Sequence, residues 1–271
     1  MPAAPLLCLS VPLPCNLFPA PSSLPLGAPP LPAFRALPSA PCLLARRGPR
    51  RYTPLVLTFR YIAIEGPPGV GKTALAERLA VRLDVAAVLE ETENPFLADF
   101  YADRPGAALQ AQLFFLLNRH RQQVSLRQAD LFSQGTIADY VFEKDKIYAY
   151  LNLDDNELFI YQRLYELLAR DVSSPDLVVY LQAPTSVVLR RARDRERAGE
   201  EPSFRPNPEY LQKLNEAYQH FFFHYASTPL LVVETSQFDA VHGDEALEDL
   251  VKLIGTMGRG TRYYVPRTSG P

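Results

Sequence analysis

From Arg60 onward, short apolar runs alternate with segments of helical period. The run 59–65 (FRYIAIE) is aromatic and β-branched and stops at Gly66, the pattern of a buried strand. Leu75, Leu79 and Leu83 recur every four residues and predict a helix over 71–83. The stretch 85–90 (VAAVLE) predicts a second strand. Residues 105–130, with Leu109, Leu113, Leu116 and Leu117 on successive turns, read as one long helix. A weaker strand signal covers 131–139. The segment 154–171 reads as a helix, with Asp154 as N-cap before Glu157. The run 176–183 is a strand, and Pro184 opens the helix after it. A last strand at 230–235 and a closing helix at 244–257 complete the pattern. Strands that alternate with helices predict an α/β fold, a parallel five-stranded sheet flanked by helices on both faces.

Composition divides the chain in two. Residues 1–58 hold 14 of the 26 prolines and all three cysteines, Cys8, Cys15 and Cys42, and contain no acid. Proline at that density denies both helix and interior strand. The segment lacks the basic start and unbroken apolar core of a secretory signal. Its arginine-only charge resembles a transit peptide, but the prolines forbid the amphipathic helix such a peptide forms. It therefore reads as a disordered extension or the product of a mis-assigned start. Residues 59–271 read as the folded domain. They carry 23 basic residues against 30 acids, which gives no reason to expect nucleic-acid or membrane binding. They also have no cysteine, which excludes a thiol nucleophile, a disulfide or a thiolate-bound metal there. The four scattered histidines give no zinc-ligand spacing. Low cysteine use fits the reducing cytoplasm, where the protein is expected.

The sharpest chemical signal is Gly66-Pro67-Pro68-Gly69-Val70-Gly71-Lys72-Thr73, which matches G-x-x-x-x-G-K-[ST] between a predicted strand and a predicted helix. Glycines let the backbone wrap a phosphate with its N–H groups inward, and the helix N-terminus adds positive potential. Lys72 is placed to reach the β- and γ-phosphates of ATP, and Thr73 to ligate Mg²⁺. The loop specifies a nucleotide, and the reaction must be read from residues further along the chain.

The segments beyond the loop resemble the deoxynucleoside kinase family, and most nearly its bacterial deoxyadenosine/deoxyguanosine kinase branch. The likeness spans residues 60 to about 255 and rests on an ordered set: 90–101 (EETENPFLADFY), 110–123 (QAQLFFLLNRHRQQ) and 189–197 (LRRARDRER). It implies a P-loop kinase with an arginine-rich lid. Glu90 then occupies the place of the general base on the acceptor 5′-hydroxyl, although Glu91 competes for that role because the loop is one residue short. Tyr101 falls where the family binds the sugar 3′-hydroxyl, and Gln112 where an amide reads the base edge. Arg119 lies seven residues beyond that amide, near base and active site. Phe96, Phe114 and Phe115 are candidates to wall the base. Asp139 matches an acid that helps to hold Mg²⁺. The arginine expected beside it is replaced by Tyr140, which offers no charge and leaves Arg119 or Arg121 to compensate. Asp145 resembles a second base-reading position. Arg191, Arg195 and Arg197 fall on the lid arginines that stabilise the transferring phosphoryl group, and Glu200 or Glu201 on a lid glutamate that meets the sugar. The segment after the last strand, 235–241, resembles the loop behind the adenine of ATP. A homodimer is a further implication of the resemblance.

The resulting expectation is ATP- and Mg²⁺-dependent phosphorylation of the 5′-hydroxyl of a deoxynucleoside, with purines favoured, in nucleotide salvage. Two alternatives remain at this point. Thymidylate kinase-like transfer to a monophosphate would use Arg119 and Arg121 as an extra clamp. A non-catalytic nucleotide-binding module would suit the loss of the arginine beside Asp139. A switch GTPase is the least expected reading, since the sequence has no N-K-x-D motif to read guanine.

Overall fold

Apolar alternation in the predicted strands sorts their side chains onto two faces, and the computed structural model shows what covers each face. It describes residues 59–129, 135–197, 207–236 and 244–266, with side chains left aside at 127–129 and 195–197. The described residues fall within one unit, Tyr52–Pro271. The reading of residues 1–58 lies outside them.

The strands are β1 (Tyr61–Glu65), β2 (Ala86–Val88), β3 (Thr136–Ala138), β4 (Leu177–Gln182), β5 (Leu230–Glu234) and β6 (Thr261–Tyr264). The helices are α1 (Lys72–Leu83), α2 (Leu97–Tyr101), α3 (Ala107–Ala129), α4 (Lys144–Asn152), α5 (Asp155–Leu168), α6 (Thr185–Arg197), α7 (Pro208–Phe223) and α8 (Asp244–Gly255). The sheet order is β2-β3-β1-β4-β5-β6, and every pairing is parallel. β1 lies between β3 and β4, so the chain winds both ways from it. Ligands of such sheets bind at this switch, beyond the carboxyl ends of the strands.

On one face, Ile62, Ile64, Val179, Leu181, Leu231 and Val233 pack with α1 and α8 residues such as Leu75, Leu79, Leu250 and Ile254. Their neighbours in sequence, Ala63, Val178, Tyr180 and Val232, pack on the other face with Leu214, Tyr218 and Phe222 of α7. This two-residue alternation is that of a sheet buried on both sides. A third cluster joins α3 to α5 through Leu116, Tyr161 and Tyr165. Asp154 caps α5 as expected: its carboxylate accepts N–H bonds from Asn156 and Glu157, and Glu157 reaches back to complete the capping box.

The sheet has six strands where five were expected. β6 is Thr-Arg-Tyr-Tyr and mostly exposed, so no apolar run announces it, yet it pairs with β5 from Leu230 to Val233. α4 and α7 were also unassigned from the sequence. α4 buries Lys144 and Asp145, which breaks its apolar stripe. α7 carries a readable signal: Asn207 caps it, Pro208 begins it, and Leu211, Leu214, Tyr218 and Phe222 form its buried side. No helix among the described residues is long and apolar enough to cross a membrane.

Candidate active site

The loop between β1 and α1 has the geometry expected of its glycines. Gly69 and Gly71 take left-handed φ values of 88° and 95°, and α1 starts with the Leu75 N–H on the Gly71 carbonyl at 3.0 Å. The first turn of α1 carries no acid, so its N–H groups keep their positive potential for an anion. Lys72 curls over the loop, with Nζ 2.8 Å from the Gly66 carbonyl and 3.3 Å from that of Pro67. Burial lowers the Lys72 pKa, opposed by the carboxylates of Glu65, Glu90 and Asp139.

Gly66 is also a steric necessity. A Cβ there would stand 2.3 Å from the Leu181 carbonyl oxygen and 3.0 Å from Val70 Cγ2, at φ +155°. Leu181 is fully buried in β4 and cannot withdraw. Gly66→Ala is expected to destabilise the fold by more than about 2 kcal/mol and to abolish stabilisation by ATP. Thermal unfolding with and without nucleotide measures both.

Glu65 was not singled out from sequence, although it organises the loop. It is fully buried at the end of β1. One oxygen accepts the Gly66 N–H at 2.8 Å and the Tyr218 hydroxyl at 3.2 Å, and the other accepts the Val141 N–H at 2.9 Å. Its only sequence signal is its place next to the glycine loop.

Beside the loop, the Thr73 hydroxyl donates to Asp139 Oδ2 at 2.6 Å, and the Glu90 backbone N–H donates to Asp139 Oδ1 at 2.7 Å. One hydroxyl and one carboxylate are hard oxygen donors. They suit Mg²⁺, which takes few protein ligands and completes its shell with phosphate and water. Among the described residues no cluster of three or more His, Cys, Asp or Glu offers a softer or fuller metal cage.

Next to this pair lies a buried chain of alternating charge. Lys144 Nζ bonds Glu90 Oε2, and Arg119 bonds Glu90 Oε1 through Nε at 2.8 Å and Nη2 at 2.7 Å. The remaining arm of Arg119 bonds Asp145 Oδ1, and the Tyr161 hydroxyl donates to Asp145 Oδ2 at 2.9 Å. The Gln112 amide donates to the Asp145 carbonyl at 3.0 Å. Burial alone would raise the Glu90 carboxyl, but Lys144 and Arg119 outweigh it and hold its pKa down at about 2. Burial likewise opposes the Arg119 charge, and Glu90 and Asp145 outweigh it, so the guanidinium is held more firmly protonated than usual.

α3 builds much of this network. Gln112, Leu116, Arg119 and Gln123 recur at spacings of four, three and four and form one buried stripe. Packing requires polar residues on that stripe only because the facing groups are Asp145, Glu90 and Tyr140. Tyr140 is fully buried and accepts the Gln123 amide at 3.2 Å, while the same amide donates to the Tyr61 hydroxyl at 2.9 Å.

The structure therefore brings Lys72, Thr73, Glu90, Gln112, Arg119, Asp139 and Asp145 to one place. Glu91 stands apart, half exposed and 3.5 Å from the exposed Arg121. Tyr101 lies on α2, 43% exposed, with its ring 5.4 Å from Phe100. Phe96 meets Phe114 edge-on at 5.9 Å, and Arg119 lies over the Phe115 ring at 5.1 Å. Arg191 on α6 bonds the Thr235 carbonyl and, at 3.4 Å, its hydroxyl, which ties the arginine-rich helix to the end of β5. The side chains of Arg195 and Arg197, and all of Glu200, Glu201 and 237–241, lie outside the described residues. Lys144 and Tyr161 were missed from sequence. Each is a single polar residue on a helix, with no local pattern to mark it.

A glycine loop at the switch point, a hydroxyl–carboxylate pair and a buried carboxylate beside them define a P-loop phosphotransferase. A sequence profile of the deoxynucleoside kinase family matches residues 62–257, and the chain belongs to that family. It is 34% identical over 164 residues to the deoxyguanosine kinase of Bacillus subtilis (strain 168), covering 60% of this chain and 78% of that protein. It is 25% identical over 205 residues to the deoxyadenosine/deoxycytidine kinase of the same organism, covering 72% and 92%. Among solved structures, deoxyadenosine kinase from M. mycoides with products dCMP and a flexible dCDP bound shares the fold. The TM-score is 0.61 at 23% identity, over 73% of this chain and 100% of that one.

Proposed function

We propose that this protein is an ATP- and Mg²⁺-dependent kinase that phosphorylates the 5′-hydroxyl of a deoxynucleoside, purine favoured, to give the 5′-monophosphate in nucleotide salvage. The observation that carries this reading is the position of Glu90. Its backbone N–H is 2.7 Å from the same carboxylate that holds Thr73 at the start of α1, so the carboxylate adjoins the phosphate loop. In-line transfer needs such a group: it accepts the hydroxyl proton while the oxygen bonds phosphorus and ADP leaves with the electrons of the broken bond.

A carboxyl pKa of about 2 makes Glu90 a weak base that is ionised at every working pH. That suits a loose transition state, in which the hydroxyl loses its proton late and orientation matters more than basicity. Thr73 and Asp139 would hold Mg²⁺, which supplies charge neutralisation at the phosphates. Lys72 and the loop N–H groups grip the phosphates, and Arg191, Arg195 and Arg197 stabilise charge on the transferred group. Tyr101, Gln112, Arg119, Asp145 and Glu200 position the nucleoside. The preference for purines rests on the relatives that act on deoxyguanosine and deoxyadenosine.

Transfer to a monophosphate fits less well. Arg119 is already committed to two carboxylates, and Arg121 sits with Glu91 at the surface. The two do not form a joint clamp. A homodimer is part of the proposal: Phe159, Ile160 and Leu167 are each more than half exposed within one arc of α5. ATP consumption by the full chain against deoxynucleosides, ribonucleosides and dTMP tests the function. Turnover on a deoxynucleoside is expected. Turnover on dTMP alone, or on no acceptor, would overturn it.

A further inference from the structure

Lys144 is a buried ammonium whose side chain is 4% exposed, and its partner is Glu90 Oε2. Burying such a charge is costly, so its place needs a reason. Arg119 delivers both Nε and Nη2 to the other oxygen, Oε1. A grip on one oxygen leaves the carboxylate free to swing about that contact. A second cation on Oε2 fixes the plane of the group.

The route by which Lys144 is held is equally specific. It is the first residue of α4, and its N–H donates to the Val141 carbonyl at 3.2 Å. The Val141 N–H bonds Glu65, and the same Glu65 carboxylate accepts the Gly66 N–H at the start of the phosphate loop. The ammonium on the carboxylate is thus referenced to the loop that would hold the donor phosphates. Tyr140 lies closer in sequence to the acid Asp139 but is engaged with Gln123, and it leaves Oε2 to Lys144.

We infer that Lys144 is a positioning residue for phosphoryl transfer: it fixes the plane of the Glu90 carboxylate relative to the phosphate loop and balances its charge. This rests on the kinase reading above. When the 5′-hydroxyl proton passes to Glu90, the oxygen–phosphorus bond forms and ADP departs. The cluster of Lys144, Glu90, Arg119 and Asp145 then gains one unit of positive charge. That charge appears as negative charge builds on the transferring group.

The test compares Lys144→Met, Lys144→Arg, Glu90→Gln and the double variant Glu90→Gln/Lys144→Met in the full chain. The acceptor is whichever deoxynucleoside the unaltered enzyme turns over best. Lys144→Met is expected to lower kcat by about 10- to 100-fold, with the KM for ATP within about twofold. Lys144→Arg should restore most of the rate. The double variant should be no slower than Glu90→Gln alone, because both act through one carboxylate. If Lys144→Met fails to fold, Lys144→Gln carries the same comparison. A kcat within about twofold of the unaltered enzyme, equal loss in the arginine variant, or multiplicative loss in the double variant would each overturn the role of Lys144 while the kinase reading stands. Absence of any turnover by the unaltered enzyme would instead overturn the kinase reading, and this role with it.

Discussion

Glu90→Gln is expected to reduce kcat by about 10²- to 10⁴-fold while ATP affinity stays within a few-fold. The substitution keeps the shape of the side chain and its contact to Asp139, because that bond is made by the backbone N–H. It removes the ionised oxygen that would take the acceptor proton. It also leaves Lys144 and Arg119 facing a neutral amide, so part of the loss is orientation. Glu91→Gln provides the contrast: that side chain is exposed and its partner Arg121 is exposed as well, so activity should change less than about twofold. Steady-state rates at saturating ATP and acceptor, beside an ATP titration, separate these outcomes. Equal losses in both variants would mean that the catalytic carboxylate is misassigned.

Arg119→Met is expected to be the most destabilising substitution in the site, by about 3–5 kcal/mol. Arg119 is the only cation on Asp145 among the described residues and one of two on Glu90. Without it, Asp145 keeps only neutral donors in a fully buried position. Arg119→Lys restores a charge but not the fork that spans two carboxylates, and should recover less than half of the loss. Glu90 contributes a pH dependence. Its folded pKa is depressed from 4.5 to about 2, so its contribution to stability is present above the unfolded value and is lost as pH falls toward about 2. Removing Arg119 raises the folded value toward the unfolded one, so the Glu90 contribution that acidification removes should be smaller in the Arg119→Met protein. Urea unfolding at several pH values between about 3 and 7 measures both effects. A cost under about 1 kcal/mol would show that the charge chain contributes little to folding.

The parts of the protein legible in the sequence are those whose signal is local. The glycine loop is eight consecutive residues with one purpose, and the buried strands β1, β4 and β5 are continuous apolar runs. The capping box of α5 occupies four residues. Glu90, Arg119, Asp139 and Asp145 lie on four different segments and were found through family resemblance, since nothing in their spacing brings them together. Lys144, Glu65 and Tyr161 stayed hidden for a related reason. Each gains its meaning from a tertiary partner: Glu90, the Val141 N–H and Asp145 respectively. α4 was obscured because the same residues that serve the site interrupt its apolar stripe. β6 was missed because an edge strand needs only one paired side and can be polar. α7 was readable, with its Asn-Pro start and regular apolar face, and went unassigned only because the sequence just before it is rich in proline and charge.

The measurement that bears most directly on the account is the chemical identity of the product. ATP, Mg²⁺ and the preferred deoxynucleoside would be incubated with the enzyme and the mixture followed by ³¹P NMR. The account predicts ADP and a nucleoside phosphomonoester in equal amounts, with the ester phosphorus coupled to the two 5′ protons. It also predicts no reaction with the analogue that lacks the 5′-hydroxyl. Release of inorganic phosphate in place of an ester, or a phosphate ester at another hydroxyl, would contradict it.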